Sequence, residues 1–435
     1  MRNKSSLFFA ITLASVALVA CSEKPPLDNN VQVGPNPELP DPQNFLVPPM
    51  QVPRYAGWAQ DAKPKVAEGL KIERVANGFL HPRQVYALPN NDILVVEGNS
   101  PNEAPQTTPK SIIAGKVENR SGKGAPGGNR VTLLRPNAAG GWDKHILLEN
   151  LYSPFGISVI GNELFIANTN NVMKYPFTVG ETKITSPGVE LADLPDRINH
   201  HWTKSMVASP DGTKLYVGVG SNSNVGENGL EIEYRRATIL EVDVKTGASR
   251  IYASGVRNPT GVQIEPTTQK LWTISNERDE IGASLVPDYL TSVQDGGFYG
   301  WPYSYFGQHV DARVKKQRPD LVAKAIKPDY ALGSHVAPLG LWFYTGQSLP
   351  AKYHGGAFVS NHGSWDRSPL NGYDVVYIPF VNGKPTGKPE PIVTGFYSDD
   401  ESKLYGAPVG ITQDTNGALI IADDVGNTVW RVSTK

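Results

Sequence analysis

The chain has 435 residues and is almost charge-neutral, with 41 Lys and Arg against 42 Asp and Glu and a formal net charge of −1 at pH 7. So even a balance offers no electrostatic footprint for nucleic acid or another polyanion. The 43 glycines and 36 prolines make up close to a fifth of the chain, which favours a turn-rich fold over long helices.

Arg2 and Lys4 precede "LFFAITLASVALVA", an apolar run of fourteen residues. A bilayer span needs about 20 residues, so the run reads as a secretory signal over residues 1–20. It ends in "LVAC", which resembles a bacterial lipoprotein cleavage box and implies that Cys21 is acylated and anchors the chain to a membrane. Ser22 after it implies the periplasmic side of the outer membrane over the inner. Cys21 is the only cysteine, so an intramolecular disulfide and a thiol-based site are both excluded. Residues 21–66 are rich in proline and lack an apolar pattern. They are expected to form an extended tether at about 3.1 Å per residue where polyproline-like.

From residue 67 onward one pattern recurs. "HPRQVYALPNNDILVVEGN" (81–99) is two short apolar runs joined at Asn90–Asn91. It returns in "SPFGISVIGNELFIANTN" (153–170), "KSMVASPDGTKLYVGVG" (204–220), "NPTGVQIEPTTQKLWTISN" (258–276), more loosely in "GGAFVSNHGSWDRSPLNGYDVVYIPF" (355–380), and in "APVGITQDTNGALIIADD" (407–424). Each is a β-hairpin signal. A spacing near 50, interrupted by two long gaps, predicts an all-β, six-bladed β-propeller over residues 67–435. The last strand, "NTVWRVS", is expected to share a blade with "LKIERVA" (70–76) and close the ring, which removes open sheet edges. No helical periodicity separates the strands, which disfavours an α/β sheet.

A propeller alone does not define an activity, so the loops carry the question. "GKGAPG" (122–127) fits the G-x-G-x-x-G pattern, but Pro126 and a following strand-like run exclude the dinucleotide fold that pattern serves. Zincin, α/β-hydrolase and c-type haem motifs are absent from the sequence. "RINHHWTKSMVASPDG" (197–212) sets His200 beside His201, and in an extended chain only one of the two can face a shared cleft. A histidine at such a strand mouth is also common as a plain hydrogen-bonding residue.

"SGVRNPTGV" (254–262), "NERDEIGASLVPDYLTSVQDGGFYGWPYSYFG" (276–307), "NHGSWDR" (361–367) and "ADDVGNTVWRVS" (422–433) resemble the glucose/sorbosone dehydrogenase family, and most closely its sorbosone branch. The resemblance spans residues 68–433. It implies a six-bladed propeller holding pyrroloquinoline quinone (PQQ) and Ca²⁺, oxidising an aldose or sugar aldehyde, and passing electrons to a separate acceptor. Such chemistry needs cations for a tricarboxylate, a base near neutral pKa and oxygen ligands for Ca²⁺.

By its ten-residue distance from Asp211, His201 resembles the family's general base, with His200 facing away. Arg257 and Asn258 match its quinone-gripping Arg-Asn-Pro, with a loop salt bridge and a turn cap as the structural alternative. Main-chain oxygens near Glu277 and Arg278, with the Asp279 carboxylate, fall where the family binds Ca²⁺. His335, His362 and Arg367 are expected at the same pocket, Arg367 as a carboxylate partner, while Tyr299 and Trp301 are expected to pack the loop. Two positions depart from the pattern: Ser221 replaces an aspartate that orients the histidine, and Ala407 stands where relatives carry arginine. These departures keep open a non-catalytic propeller that binds a ligand or protein. A Ca²⁺-dependent lactonase is a further alternative.

Overall fold

Turn residues and short apolar runs build antiparallel sheets arranged as six blades in a computed structural model that describes residues 26–43, 50–101, 116, 119–196, 201–364 and 367–435. The signal segment, Cys21 and His200 lie outside the described residues. The innermost strands, in chain order, are Pro82–Ala87, Gly156–Ile160, Met206–Ala208, Pro259–Ile264, Pro338–Phe343 and Pro408–Gln413. Each begins a blade whose later strands run outward.

Burial follows position in the blade. The second strands Ile93–Glu97, Leu271–Ser275, Ala357–Asn361 and Leu419–Asp423 are buried at every residue, because neighbouring blades cover both of their faces. That is why they read as continuous apolar runs and not as alternating ones. The outer strand Trp142–Leu148 is mostly exposed. Tight turns keep the inner hairpins in register. Between Ile160 and Glu163 the turn needs a left-handed residue, which Gly161 supplies at φ +56.

The ring closes as the sequence implies. Thr428–Thr434 pairs antiparallel with Leu70–Asn77, so chain start and chain end share blade 6. Two expectations need correction. The fifth hairpin motif begins on the second strand of its blade; the innermost strand is "PLGLWF", Pro338–Phe343, separated from the motif by the loop through 344–356.

The second correction concerns the proline-rich segment, whose described residues are docked and not a free tether. Val33–Gly34 pairs with Leu332 and Ala331 as a fifth strand of blade 4, and Lys65–Val66 pairs with Thr394 and Val393 on blade 5. Arg54–Tyr55 runs parallel to Lys403–Leu404. Gln32 is buried and its Nε2 donates to the Ser284 carbonyl at 2.5 Å. Proline prevents this segment from forming a core, but two-residue pairings suffice to cover the outer edges of two blades, which would otherwise present unpaired backbone.

Candidate active site at the propeller axis

Trp202 fills the axis. It packs with Phe155, Leu339 and Val409, residues from or beside three other blades, and meets Phe155 edge to face at 5.9 Å. The Arg83 guanidinium of blade 1 lies over its ring at 5.3 Å. The Trp202 carbonyl accepts from the Lys204 ammonium at 3.0 Å. Lys204 is fully buried, and burial, with help from Arg236 and against Asp196, pulls its pKa down to about 7. This apolar floor fixes the residues around it.

His201, half-buried, sits immediately before that floor. Its Nδ1 lies 2.9 Å from the Ser221 carbonyl and 3.1 Å from Ser221 Oγ. A carbonyl can only accept, and Ser221 Oγ spends its own proton on the Ser223 carbonyl at 2.6 Å. Nδ1 therefore carries the hydrogen, and the lone pair of the neutral ring is on Nε2. Asn258 stands alongside: a Cβ on Gly220 would collide with both Asn258 Oδ1 and the His201 Cβ, so glycine is required there. Asn258 Oδ1 is buried and accepts no hydrogen bond among the described residues, which marks it as facing something the protein itself does not supply. The Ser221 amide donates to the Arg257 carbonyl at 2.8 Å. His201, Ser221 and Arg257–Asn258 are thus one continuous unit across blades 3 and 4.

The Arg257 side chain turns elsewhere. Its Nε donates to the Asn224 carbonyl, Nη1 to the carbonyls of Asn276 (3.4 Å) and Glu277 (2.6 Å), and Nη2 to Asn224 Oδ1 (2.9 Å) and Asp279 Oδ2 (3.3 Å). All five N–H groups are engaged inside the protein, so the expected role of Arg257 as a quinone grip is not met in this arrangement. The same contacts bear on the metal. The Glu277 carbonyl takes a guanidinium hydrogen, and the Asp279 carbonyl accepts from Asn224 Nδ2 and Arg313 Nη1. The Asp279 carboxylate faces Arg257 and the ring of His335 at 3.4 Å. The Glu277 carbonyl and the Asp279 oxygens lie against the Arg257 and Arg313 guanidinium groups, whose fixed positive charge repels a dication, so the loop of Glu277, Arg278 and Asp279 as arranged does not fit Ca²⁺. The Arg278 side chain points inward, to Glu277, Asp311 and the carbonyls of Pro302 and Ser304. Among the described residues no three His, Cys, Asp or Glu side chains converge as a metal cage.

His335 is a brace. Its Nε2 meets the Gly282 carbonyl at 3.0 Å while Nδ1 faces Asp279, so both ring nitrogens meet acceptors of the same loop. Tyr299 and Trp301 pack that loop as expected, with Trp301 Nε1 donating to the Asn224 carbonyl at 2.9 Å and the Tyr299 hydroxyl to Ser292. Arg367 is turned to the docked N-terminal segment, donating to Asn29 Oδ1 (2.8 Å) and to the Ala283 carbonyl (2.9 Å). Its expected role as a carboxylate partner is not met here either.

The opposite side of the mouth is charged. His362 Nε2 lies 2.8 Å from Asp424 Oδ1, and Arg83 Nη1 lies 2.9 Å from Asp424 Oδ2. Arg83 also donates to Asn99 Oδ1 at 2.6 Å. Burial alone would raise the Asp424 carboxyl, but Arg83 and His362 hold it well below the usual carboxylate range. Burial pulls His362 down to about 4; Asp424 opposes this, and the Lys123 and Arg83 cations add to it. His362 is therefore neutral at pH 7. Lys123, from the passed-over "GKGAPG" stretch, sits over the Tyr373 ring at 5.1 Å. Ala407 is buried, and its amide donates to Asp423 at 2.7 Å.

Sequence reasoning missed Arg83, Lys123, Trp202 and Asp424. Two signals were available: a guanidinium in the innermost strand Pro82–Ala87, and the second aspartate of "ADDVGN".

A closed ring of six blades with its polar groups gathered over an aromatic plug defines an axial-site propeller. Residues 163–364 match the family profile described as glucose/sorbosone dehydrogenase, and residues 306–435 match one described as TrAA12-like. The glucose/sorbosone dehydrogenase profile thus matches just under half of the chain, and this chain is similar to that family, as its motifs imply. A protein of Borreliella burgdorferi is 28% identical over 300 residues, 66% of this chain and 77% of its own. A pyrroloquinoline quinone-dependent pyranose dehydrogenase of Coprinopsis cinerea is 23% identical over 359 residues, 72% of this chain. The match covers only 44% of that enzyme's length. The solved PQQ domain of the Coprinopsis pyranose dehydrogenase superposes with a TM-score of 0.68 at 18% identity, over 88% of this chain and all of that domain.

Proposed function

We propose that the chain is a PQQ-dependent dehydrogenase of aldoses or sugar aldehydes, sorbosone-like in substrate, with His201 as the general base. One observation carries the reading: His201 Nδ1 is committed to the Ser221 carbonyl, so the lone pair of Nε2 is the ring's basic position, while Asn258 Oδ1 of the same unit is buried with no hydrogen-bond partner among the described residues. The names of the relatives support the cofactor class and the substrate class.

The mouth suits a flat polyanion. Arg83, although paired with Asp424 and bonded to Asn99, and Lys123 leave one side net positive, and Asn258 brings a polar atom without a partner among the described residues on the other. These three are the residues that would hold the quinone. When bound, it accepts the two electrons that leave the sugar carbon as hydride. His201 takes the proton from the reacting hydroxyl as that carbon becomes a carbonyl, and Trp202 closes the axis beneath. No step requires a metal at residues 277–279. The signal segment and Cys21 favour a lipid-anchored, extracytoplasmic enzyme, and electrons would pass to a separate acceptor.

The test is titration of the purified chain with PQQ, followed by dye-linked oxidation of glucose, other aldoses and sorbosone. Saturable binding with dye reduction by at least one sugar is expected. Absence of both binding and oxidation across the panel overturns the reading. The internal engagement of Arg257 and Arg367 favours, as a second reading, a propeller that binds a ligand without turning it over. Saturable sugar or quinone binding that His201→Ala leaves unchanged, with no turnover, would select it.

A further inference from the structure

Ser221 does not end the chain of contacts behind His201. Its hydroxyl donates to the Ser223 carbonyl at 2.6 Å, and the Ser223 hydroxyl donates to Glu233 Oε1 at 2.6 Å. The Asn222 amide donates to Glu233 Oε2 at 2.7 Å. Ser223 Oγ also accepts from the Gly226 amide at 2.9 Å, so its single proton goes to the glutamate. Both Glu233 oxygens therefore act as acceptors, the pattern of an ionised carboxylate. Ser221, Asn222, Ser223 and Glu233 are all buried. A carboxylate is thus tied by main chain and side chain to the 221–223 segment, whose Ser221 holds the imidazole at the place where the resemblance expects an acid.

We propose that Glu233 is the positioning carboxylate of His201, acting through Ser221 and Ser223. It fixes the 221–223 segment so that the Ser221 carbonyl selects the Nδ1–H tautomer, and its negative charge favours the imidazolium that forms when Nε2 takes a proton. The inference rests on His201 being the base, but it has a readout that needs no turnover. Glu233 itself faces Arg236 and Glu227, and behind the Trp202 floor lie Lys204 and Asp196, so any titration of His201 is read against those groups. Burial raises the Glu233 carboxyl, while Ser223, the Asn222 amide and Arg236 oppose it.

The experiment is a ¹⁵N-imidazole NMR titration of the full mature chain without cofactor, with the His201 signal assigned from its loss in His201→Asn. Wild type should show the Nδ1–H tautomer at high pH. Glu233→Gln should lower the His201 midpoint by about one pH unit, the size expected for removing a charge on the order of 10 Å away at an effective dielectric near 20. Should Glu233→Gln not fold, Ser223→Ala, which removes the hydroxyl between Glu233 and the Gly226 amide but keeps the carboxylate, should shift the midpoint in the same direction. In active enzyme the acid limb of kcat/KM should move with it while KM stays constant. An unchanged His201 midpoint and tautomer in a folded variant overturns the role of Glu233, whether or not any sugar is oxidised. A shifted midpoint without sugar oxidation keeps the role of Glu233 and rejects the dehydrogenase.

Discussion

Two histidines face one axial mouth, and their surroundings give them opposite character. On the side of blades 3 and 4, His201 is half-buried and backed by a neutral carbonyl, with Nδ1 as donor and the Nε2 lone pair basic. On the side of blades 5, 6 and 1, His362 is buried and spends Nε2 on Asp424, with Arg83 and Lys123 nearby to hold its pKa at about 4. A carboxylate behind a histidine does not make it a base when two cations and burial outweigh it. The histidine proposed as the base is the one in the less charged surroundings.

Exchanging each histidine tests this contrast most severely. His201→Asn should lower kcat by roughly 10³-fold, within the range for loss of a general base. His362→Asn should leave kcat within about 10-fold and act mainly on quinone affinity, measured by cofactor titration. If His362→Asn proves the more damaging to kcat, the roles assigned to the two sides are reversed.

Lys204 marks a second asymmetry, since it is a buried cation under the floor while Arg83 and Lys123 lie at the mouth. Its folded pKa, about 7, is below that of the unfolded chain, about 10.5. Unfolding therefore takes up a proton between those values, and the destabilisation it causes is complete below pH 7 and fades as pH rises toward 10.5. Lys204→Met should raise stability at pH 6 by about 3 kcal/mol after loss of the hydrogen bond to Trp202, and lower it by about 1–2 kcal/mol near pH 11, where only that loss remains. Urea unfolding at the two pH values measures it; an equal gain at both would assign the effect to packing and not to charge.

What the sequence shows and what it hides divides along the same physical line. Hairpins are legible because their turns and apolar runs are local. Five of the six inner hairpins stand out for that reason, and the pairing of Thr428–Thr434 with Leu70–Asn77 follows from counting blades. The inner strand Pro338–Phe343 is hidden because its partner lies across the long loop through 344–356. His201, Ser221 and Asn258 are each visible in separate motifs, and the fold sets them side by side. Arg83 and Asp424 are illegible as a pair, because only ring closure brings residues from the two ends of the propeller within 2.9 Å. The docking of Gln32 and Asn29 near Arg367 has no periodic signature, since it relies on single side-chain amides. The saturation of Arg257 is hidden for another reason: four of its five acceptor contacts involve main-chain or amide oxygens, which sequence does not single out.

That saturation yields the smallest expected effect and the sharpest contrast with the family pattern. Arg257 places a fixed cation against the Glu277 carbonyl and the Asp279 carboxylate, in the 277–279 loop where the resemblance puts Ca²⁺. A site of micromolar affinity would add about 4 kcal/mol of stability at 1 mM Ca²⁺, enough to move Tm by several degrees. With the oxygens taken by guanidinium, the melting temperature of the cofactor-free chain in 1 mM CaCl₂ should match that in EDTA to within about 1 °C. Arg257→Ala, which uncovers those oxygens, would leave the Asp279 carboxylate without its buried partner and should lower Tm in EDTA. Partial recovery of that loss by Ca²⁺ in the variant alone would show that the arginine occupies the place of the metal. A calcium-dependent rise in the parent chain would show instead that the loop opens to the ion and that Arg257 can turn back toward the mouth.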